Sequence, residues 1–512
     1  MTDASLSEPV APPIIIQGAQ VLLPSGQTAL RDVAIAGGKI TAVGTGLEVA
    51  SDTHTIDGEG LTLLPGVIDP GLHLRVPNSK RASEHAPEHS EEYPAGSFAS
   101  GLLTKGSFTE GSFAEGSFTE DSFTQTLRTE SCACVRGGVT SFLEMPNTPP
   151  LTTTQADLSA KLSAASRSSL VNYGFFTNVH SRTQPDWPTA HQADHSTGHS
   201  TGHSTGHSTD YPTCGIALIV DSVSDSSLDW SSTEAAEIIE SMFATGDRLI
   251  SVHASASNSA SAASPGTQAS HQTGERDLSA VATTLTLAKK YGRRLHISQI
   301  ATAADAALLA RDKPSWVSAD IAPRDLLLDI SRQAQVSALA QAQSFSGAFS
   351  DQPLRRECDR DLLWQALLQG NLDFIASGHT SPSSKALKSP HKPSGLPGVE
   401  TSLPLMLTQA KEGRCTLAQV ANWMSGAIAE AFRIPKKGLI EPGYDADLVL
   451  VDLTTYRPVL REELQTQCGW SPFEGWALTG WPVLTLVGGQ IAYDHGKVNL
   501  NVRGQALQFD TN

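Results

Sequence analysis

Leu64-Pro65-Gly66-Val67-Ile68-Asp69-Pro70-Gly71-Leu72-His73-Leu74-Arg75 is the stretch on which the fold turns. An apolar run ends in Pro65-Gly66, and a short apolar step leads to Asp69-Pro70. A histidine and an arginine follow, two residues apart. Side chains alternate faces along a strand, so His73 and Arg75 are expected to point the same way. A strand tip that presents an imidazole beside a guanidinium suits an anion next to a metal. Taken alone, it also reads as a plain strand end with two polar residues.

The flanking sequence decides between the two. Arg136-Gly137-Gly138-Val139-Thr140-Ser141-Phe142-Leu143-Glu144-Met145-Pro146-Asn147-Thr148 reads as helix end, glycine turn, buried strand and loop. Gly395-Leu396-Pro397-Gly398-Val399-Glu400 lies far downstream. Together these stretches resemble the dihydroorotases of the amidohydrolase superfamily. That family reads Pro-Gly-x-Ile-Asp-x-His-x-His-x-Arg at the first stretch, and Gly-Gly-Val-Thr followed by Met-Pro-Asn-Thr at the second. Outside its inserts, the chain follows the resemblance over roughly residues 14–500.

The fold this implies is α/β: a (β/α)8 TIM-type barrel with a small β-sandwich domain built from both chain termini. The chain's own pattern agrees, since buried strands alternate with helices along it. Residues 14–64 form the N-terminal part of the β domain, 65–432 the barrel and 435–500 the C-terminal part. Two β-rich runs around Gly37-Gly38 predict a hairpin in the first segment. Three low-complexity inserts interrupt the barrel near 76–128, 188–212 and 254–274. The first carries five-residue copies such as Gly106-Ser107-Phe108-Thr109-Glu110, and the last copy is Asp121-Ser122-Phe123-Thr124-Gln125. The second repeats His-Ser-Thr-Gly. All three bury too little apolar surface to offset chain ordering and are expected to be largely mobile.

The resemblance also implies a site. Family members bind zinc at the C-terminal barrel mouth, where the metal lowers the pKa of a bound water. An aspartate takes and returns the proton. Residue by residue, the match is incomplete. His73 and His253 stand at metal-ligand positions, and Asp221 is the candidate for the bridging fourth-strand acid. Arg75 and Asn147 stand where the family clamps a substrate carboxylate. Gly71 replaces the first histidine, Gln299 the sixth-strand histidine, and Gly378 the aspartate that is both ligand and base. Asp320-Ile321-Ala322-Pro323-Arg324-Asp325 replaces Glu-x-x-Pro-His-His, and Asp351 replaces an asparagine. His379 follows the lost base.

With no catalytic residue at Gly378, zinc is expected to be weak or absent. The chain then reads as a dihydroorotase-like pseudoenzyme of pyrimidine biosynthesis. By the same resemblance it is a candidate scaffold for aspartate carbamoyltransferase, or self-associates. The alternative is an active hydrolase of cyclic amides with substitute ligands, drawn from Asp221, Asp325 and His379.

Composition sets outer limits. The 512 residues carry a net charge of −17, which argues against nucleic acid, since phosphate binding wants a basic face. A small-molecule carboxylate remains compatible with Arg75. Six cysteines do not make a disulfide framework, and Cys132 with Cys134 is weak as a zinc pair. The first residues lack a basic region followed by an apolar run, and no stretch is long and apolar enough to span a membrane. A cytoplasmic setting is the expectation.

Overall fold

The computed structural model describes residues 12–48, 50–74, 120–146, 148, 151–178, 213–220, 233–254, 278–341, 356–381 and 395–510. The chain opens with five strands: β1 (Ile14–Leu22), β2 (Thr28–Ala36), β3 (Lys39–Gly44), β4 (His54–Asp57) and β5 (Thr62–Pro65). β2 and β3 form the expected hairpin, with Ala36 opposite Lys39. The two residues between them, Gly37 and Gly38, have φ of 57° and 76°. A two-residue turn of this hand needs positive φ at both positions, which only glycine adopts without steric cost.

The barrel staves follow as β6 (Val67–Leu72), β7 (Val139–Glu144), β8 (Asn172–Phe175), β9 (Thr177–Asn178), β10 (Ile216–Val220), β11 (Ile250–Ala254), β12 (Leu295–Ser298), β13 (Val317–Ile321) and β14 (Phe374–Ile375). β6 to β8 form one parallel run and β9 to β14 another. Phe176 interrupts the third stave between β8 and β9, so the nine segments make eight staves. Between the last stave and the first, the His73 amide donates to the His379 carbonyl at 3.0 Å. The Ser377 amide donates to the Asp69 carboxylate at 3.0 Å. The result is a (β/α)8 barrel. Every described stave residue of β6, β7, β12 and β13 is buried, as expected of parallel strands covered by helices.

The covering helices include α1 (Glu120–Arg136), α2 (Gln155–Ser168), α3 (Thr233–Ala244), α4 (Leu278–Tyr291), α5 (Ala303–Asp312), the short α6 (Pro323–Leu327), α7 (Gln333–Gln341) and α8 (Glu357–Leu368). After α9 (Ser402–Lys411) the chain returns to the sandwich through β15 (Leu448–Asp452). The hairpin pair β16 (Arg457–Pro458) and β17 (Ala477–Leu478) leads to β18 (Trp481–Val487), β19 (Gln490–Asp494) and β20 (Lys497–Val498). β15 lies antiparallel to β5, with Leu448 opposite Pro65 and Leu450 opposite Leu63. One sheet, β20-β19-β18-β15-β5-β1-β2-β3, therefore draws strands from both ends of the chain. Its buried face packs Ile16, Val21, Val33, Leu63, Leu448 and Leu486 into a core separate from that of the barrel.

The first insert, expected as a mobile excursion through residue 128, needs a correction. Helix α1 begins at Glu120 and takes in the final repeat copy. Phe123 and Leu127 are four residues apart and 2% and 0% exposed. That spacing puts both on one helix face, so the repeat's aromatic became a core residue. Phe123 packs 6.5 Å from Phe175, centroid to centroid. The rest of the first insert, all of the second and nearly all of the third lie outside the described residues. Cys132 and Cys134 also fall on α1, where residues two apart do not face each other. Cys134 is fully buried, and burial pushes its thiol well above the ordinary range.

Candidate functional site

The mouth is built on Asp69. Its carboxylate is 2% exposed and accepts the amide hydrogens of Gly71 at 3.3 Å and Ser377 at 3.0 Å. It also accepts the Ser377 hydroxyl. Burial raises its pKa, and the Ser377 hydroxyl and amide oppose that rise. These bonds clamp the first stave to the last and set the direction in which His73 leaves β6.

His73 and His253 come together. Their ring centroids are 5.7 Å apart with the planes at 67°. Gln299 joins them. It sits just past β12 at φ 57°, a left-handed conformation unusual for a residue with a side chain. The backbone is held there by Asp320, whose carboxylate accepts the Gln299 amide at 2.7 Å. The same carboxylate binds Nε2 of His296 at 2.9 Å and the Ser298 hydroxyl at 3.3 Å. The His296 ring stacks on Phe374, 5.0 Å between centroids. Asp320 is thus the hub that aims Gln299 at the mouth.

The Gln299 side chain has its orientation fixed by chemistry. Arg324 Nη2 lies 3.2 Å from Oε1 of Gln299, and a guanidinium can only donate. The atom facing Arg324 is therefore the amide oxygen. The amide nitrogen then faces Nε2 of His73 at 3.0 Å and donates to it. His73 Nε2 accepts, so its ring proton sits on Nδ1.

Arg324 comes from α6, the segment that replaces the family's two histidines. It is 8% exposed and pairs with Asp325 at 3.4 Å. Gly378, in the base position, has φ of 57°. A Cβ built on Gly378 would stand 3.6 Å from Cζ and from Nη1 of Arg324. The guanidinium thus packs against the point where a carboxylate would begin. Arg324 and Ser377 also line a shallow pocket with Leu396, Gly398 and Phe473. At Gly71, a Cβ would meet the Ala376 Cβ at 3.2 Å, tighter than ordinary packing.

Arg75, Asn147, Asp221 and Asp351 lie outside the described residues. His379 is turned away from the mouth. Its ring is fully buried, and Nδ1 accepts the amide hydrogens of Gly398 at 3.1 Å and Val399 at 3.3 Å. Its Nε2 is 2.9 Å from Glu130 on α1 and donates to it. Both ring nitrogens are used by the framework, so His379 has no lone pair left for a metal. Among the described residues, no group of three His, Cys, Asp or Glu side chains gathers to hold a metal ion. Sequence reasoning missed Arg324 as a member of the site and recorded only a lost histidine. The signal was a cation immediately after a strand end at the catalytic face of a barrel.

Fold and mouth together define an amidohydrolase-type barrel. Residues 62–492 match the family model described as Amidohydrolase family, and the chain belongs to that family. Within it the chain is dihydroorotase-like. It is 26% identical over 482 residues to a dihydroorotase of Halobacterium salinarum, covering 92% of this chain and 95% of that protein. It is 24% identical over 491 residues to a dihydroorotase of Anoxybacillus flavithermus, covering 94% of this chain and 99% of the relative. Among solved structures, L-hydantoinase (dihydropyrimidinase) from Arthrobacter aurescens superposes with a TM-score of 0.70 at 22% identity, covering 97% of this chain and 99% of its own. A dihydropyrimidinase from Brevibacillus agri superposes equally well at 21% identity, over 98% and 99% of the two chains. No helix among the described residues is long and apolar enough to cross a membrane.

Proposed function

We propose that this chain is a non-catalytic dihydroorotase-like amidohydrolase whose mouth holds no catalytic zinc. The observation that carries this reading is the Gln299 amide donating to Nε2 of His73. A ligating imidazole needs a lone pair, and that of Nε2 is already engaged. An amide nitrogen has none to offer a metal, and glutamine is a poor substitute for histidine on a borderline ion. Gly71 and Gly378 add no donors, and Arg324 brings a positive charge. The donor set described here does not fit a zinc ion. Nor does it hold the aspartate base of the family, since Gly378 stands at that position and the nearby guanidinium of Arg324 stays protonated.

The test is metal analysis of the purified protein together with assays of dihydroorotate hydrolysis and the reverse cyclisation. Zinc well below one per chain and no turnover above a buffer blank are expected. Stoichiometric zinc with ordinary turnover would overturn the reading in favour of an active hydrolase. For a barrel without this chemistry, the dihydroorotase resemblance supports an assembly role. Aspartate carbamoyltransferase is the partner to test. Co-elution of the two purified proteins in size-exclusion chromatography is the expected result, and separate elution at micromolar concentration would remove that role.

A further inference from the structure

We propose that Arg324 is the resident cation of the mouth, and that its charge, beyond the loss of ligands, keeps a divalent metal out. This rests on the reading of the mouth as metal-free and goes further, to the group responsible. The guanidinium is pinned. It is 8% exposed, it donates to Gln299 Oε1 at 3.2 Å, and Asp325 holds its Nε at 3.4 Å. One side chain, Gln299, bridges it to Nε2 of His73 at 3.0 Å. A divalent ion on His73 would sit one glutamine side chain away from a fixed positive charge. Two such charges repel strongly at that range, and burial reduces the screening. Gly378 belongs to the same arrangement: lacking a side chain, it leaves space beside Nη1 and Cζ that a larger residue would share with the guanidinium.

Charge and ligand loss make different predictions, and paired variants separate them. Gln299→His restores an imidazole at a backbone position with φ 57°. Histidine is among the residues that tolerate that conformation better than most, so the variant is compatible with the fold. If ligand loss alone excludes metal, Gln299→His should bind zinc. If Arg324 excludes it, zinc should bind only when the charge also goes. The experiment titrates zinc alone against a chromogenic chelator for wild type, Q299H, Q299H/R324Q and Q299H/R324K, with circular dichroism confirming the fold of each.

The zinc dissociation constant of Q299H/R324Q is expected to fall at least about tenfold below that of Q299H. Q299H/R324K keeps the charge and should stay with Q299H. Should Q299H/R324Q fail to fold, Q299H/R324M takes its place as the charge-free variant and is again expected to bind zinc more tightly than Q299H. Equal zinc binding by Q299H and the charge-free double variant would overturn the proposal. Zinc and turnover in the unmodified protein would instead sink the metal-free reading, so the two failures are distinguishable.

Discussion

His73 and His379 end adjacent staves, joined by the hydrogen bond from the amide of one to the carbonyl of the other. Their rings lead to two different regions. His379 leads into a framework: Glu130 on α1, the 395–400 loop and, through the other Glu130 oxygen, the Gln467 amide at 3.1 Å. His73 leads into the mouth, to Gln299, Arg324 and His253. In the framework, the residues that match the family hold buried charge. Glu400, from Gly-Leu-Pro-Gly-Val-Glu, pairs with Arg136 at 3.3 Å and accepts the amides of Gln465 and Thr466. In the mouth, Gln299 bonds to both His73 and Arg324. The contrast separates two reasons for a motif to match a family: some residues hold the barrel together, and others do its chemistry.

The largest expected effects therefore lie in the framework. Lys161 is 1% exposed and pairs with fully buried Glu144 at 3.1 Å. Lys161→Met would strand that carboxylate and should cost about 3–5 kcal/mol in urea unfolding. Phe123→Ala should cost about 3 kcal/mol, because the ring is buried against Phe175. A cost near zero would mean that the end of the repeat is not part of the core.

Next comes a pH effect. Burial raises the Glu400 carboxyl to about 7, against the pull of Arg136. An acid whose folded pKa lies above its unfolded one binds more protons when folded, so stability falls as pH rises between the two values. Its share of stability should therefore decline from about pH 4.5 to about pH 7 and level off above. Glu400→Gln should flatten that part of the stability profile, measured by urea midpoints at a series of pH values. A slope unchanged in the variant would place the titration elsewhere.

The mouth should respond more mildly. Gly378→Asp forces a side chain onto a backbone at φ 57°, a cost of about 1–2 kcal/mol that a new ion pair with Arg324 would partly offset. The variant should melt slightly lower and gain no turnover. Gln299→Gly should be smallest, since relief of the left-handed strain offsets the lost hydrogen bonds, leaving a net change within about 1 kcal/mol. A large loss at either position would mean the mouth is as much framework as His379.

Much of this was legible in the sequence, and the rest has identifiable causes. The strand stretch ending at His73 and the Gly37-Gly38 hairpin follow from local pattern, and the pairing of the terminal segments from the resemblance to dihydroorotases. The same resemblance puts His73 and His253 in one site, and stave ends converging in a closed barrel bring them together. Arg324 was not legible as a site residue, since its meaning depends on two segments 25 positions apart meeting through Gln299 Oε1. His379 looked free for a metal because its partners, Glu130 and the 395–400 loop, are remote in the chain. Helix α1 was hidden by a five-residue repeat whose last phenylalanine falls in step with Leu127.

The most direct test of the metal-free mouth is the nitrogen-15 spectrum of the His73 imidazole, assigned with His73→Gln. It is recorded on purified protein before and after one equivalent of zinc. The neutral ring should carry its proton on Nδ1, and neither nitrogen should move when zinc is added. A metal-shifted Nε2, in the protein as purified or after zinc, would contradict the account.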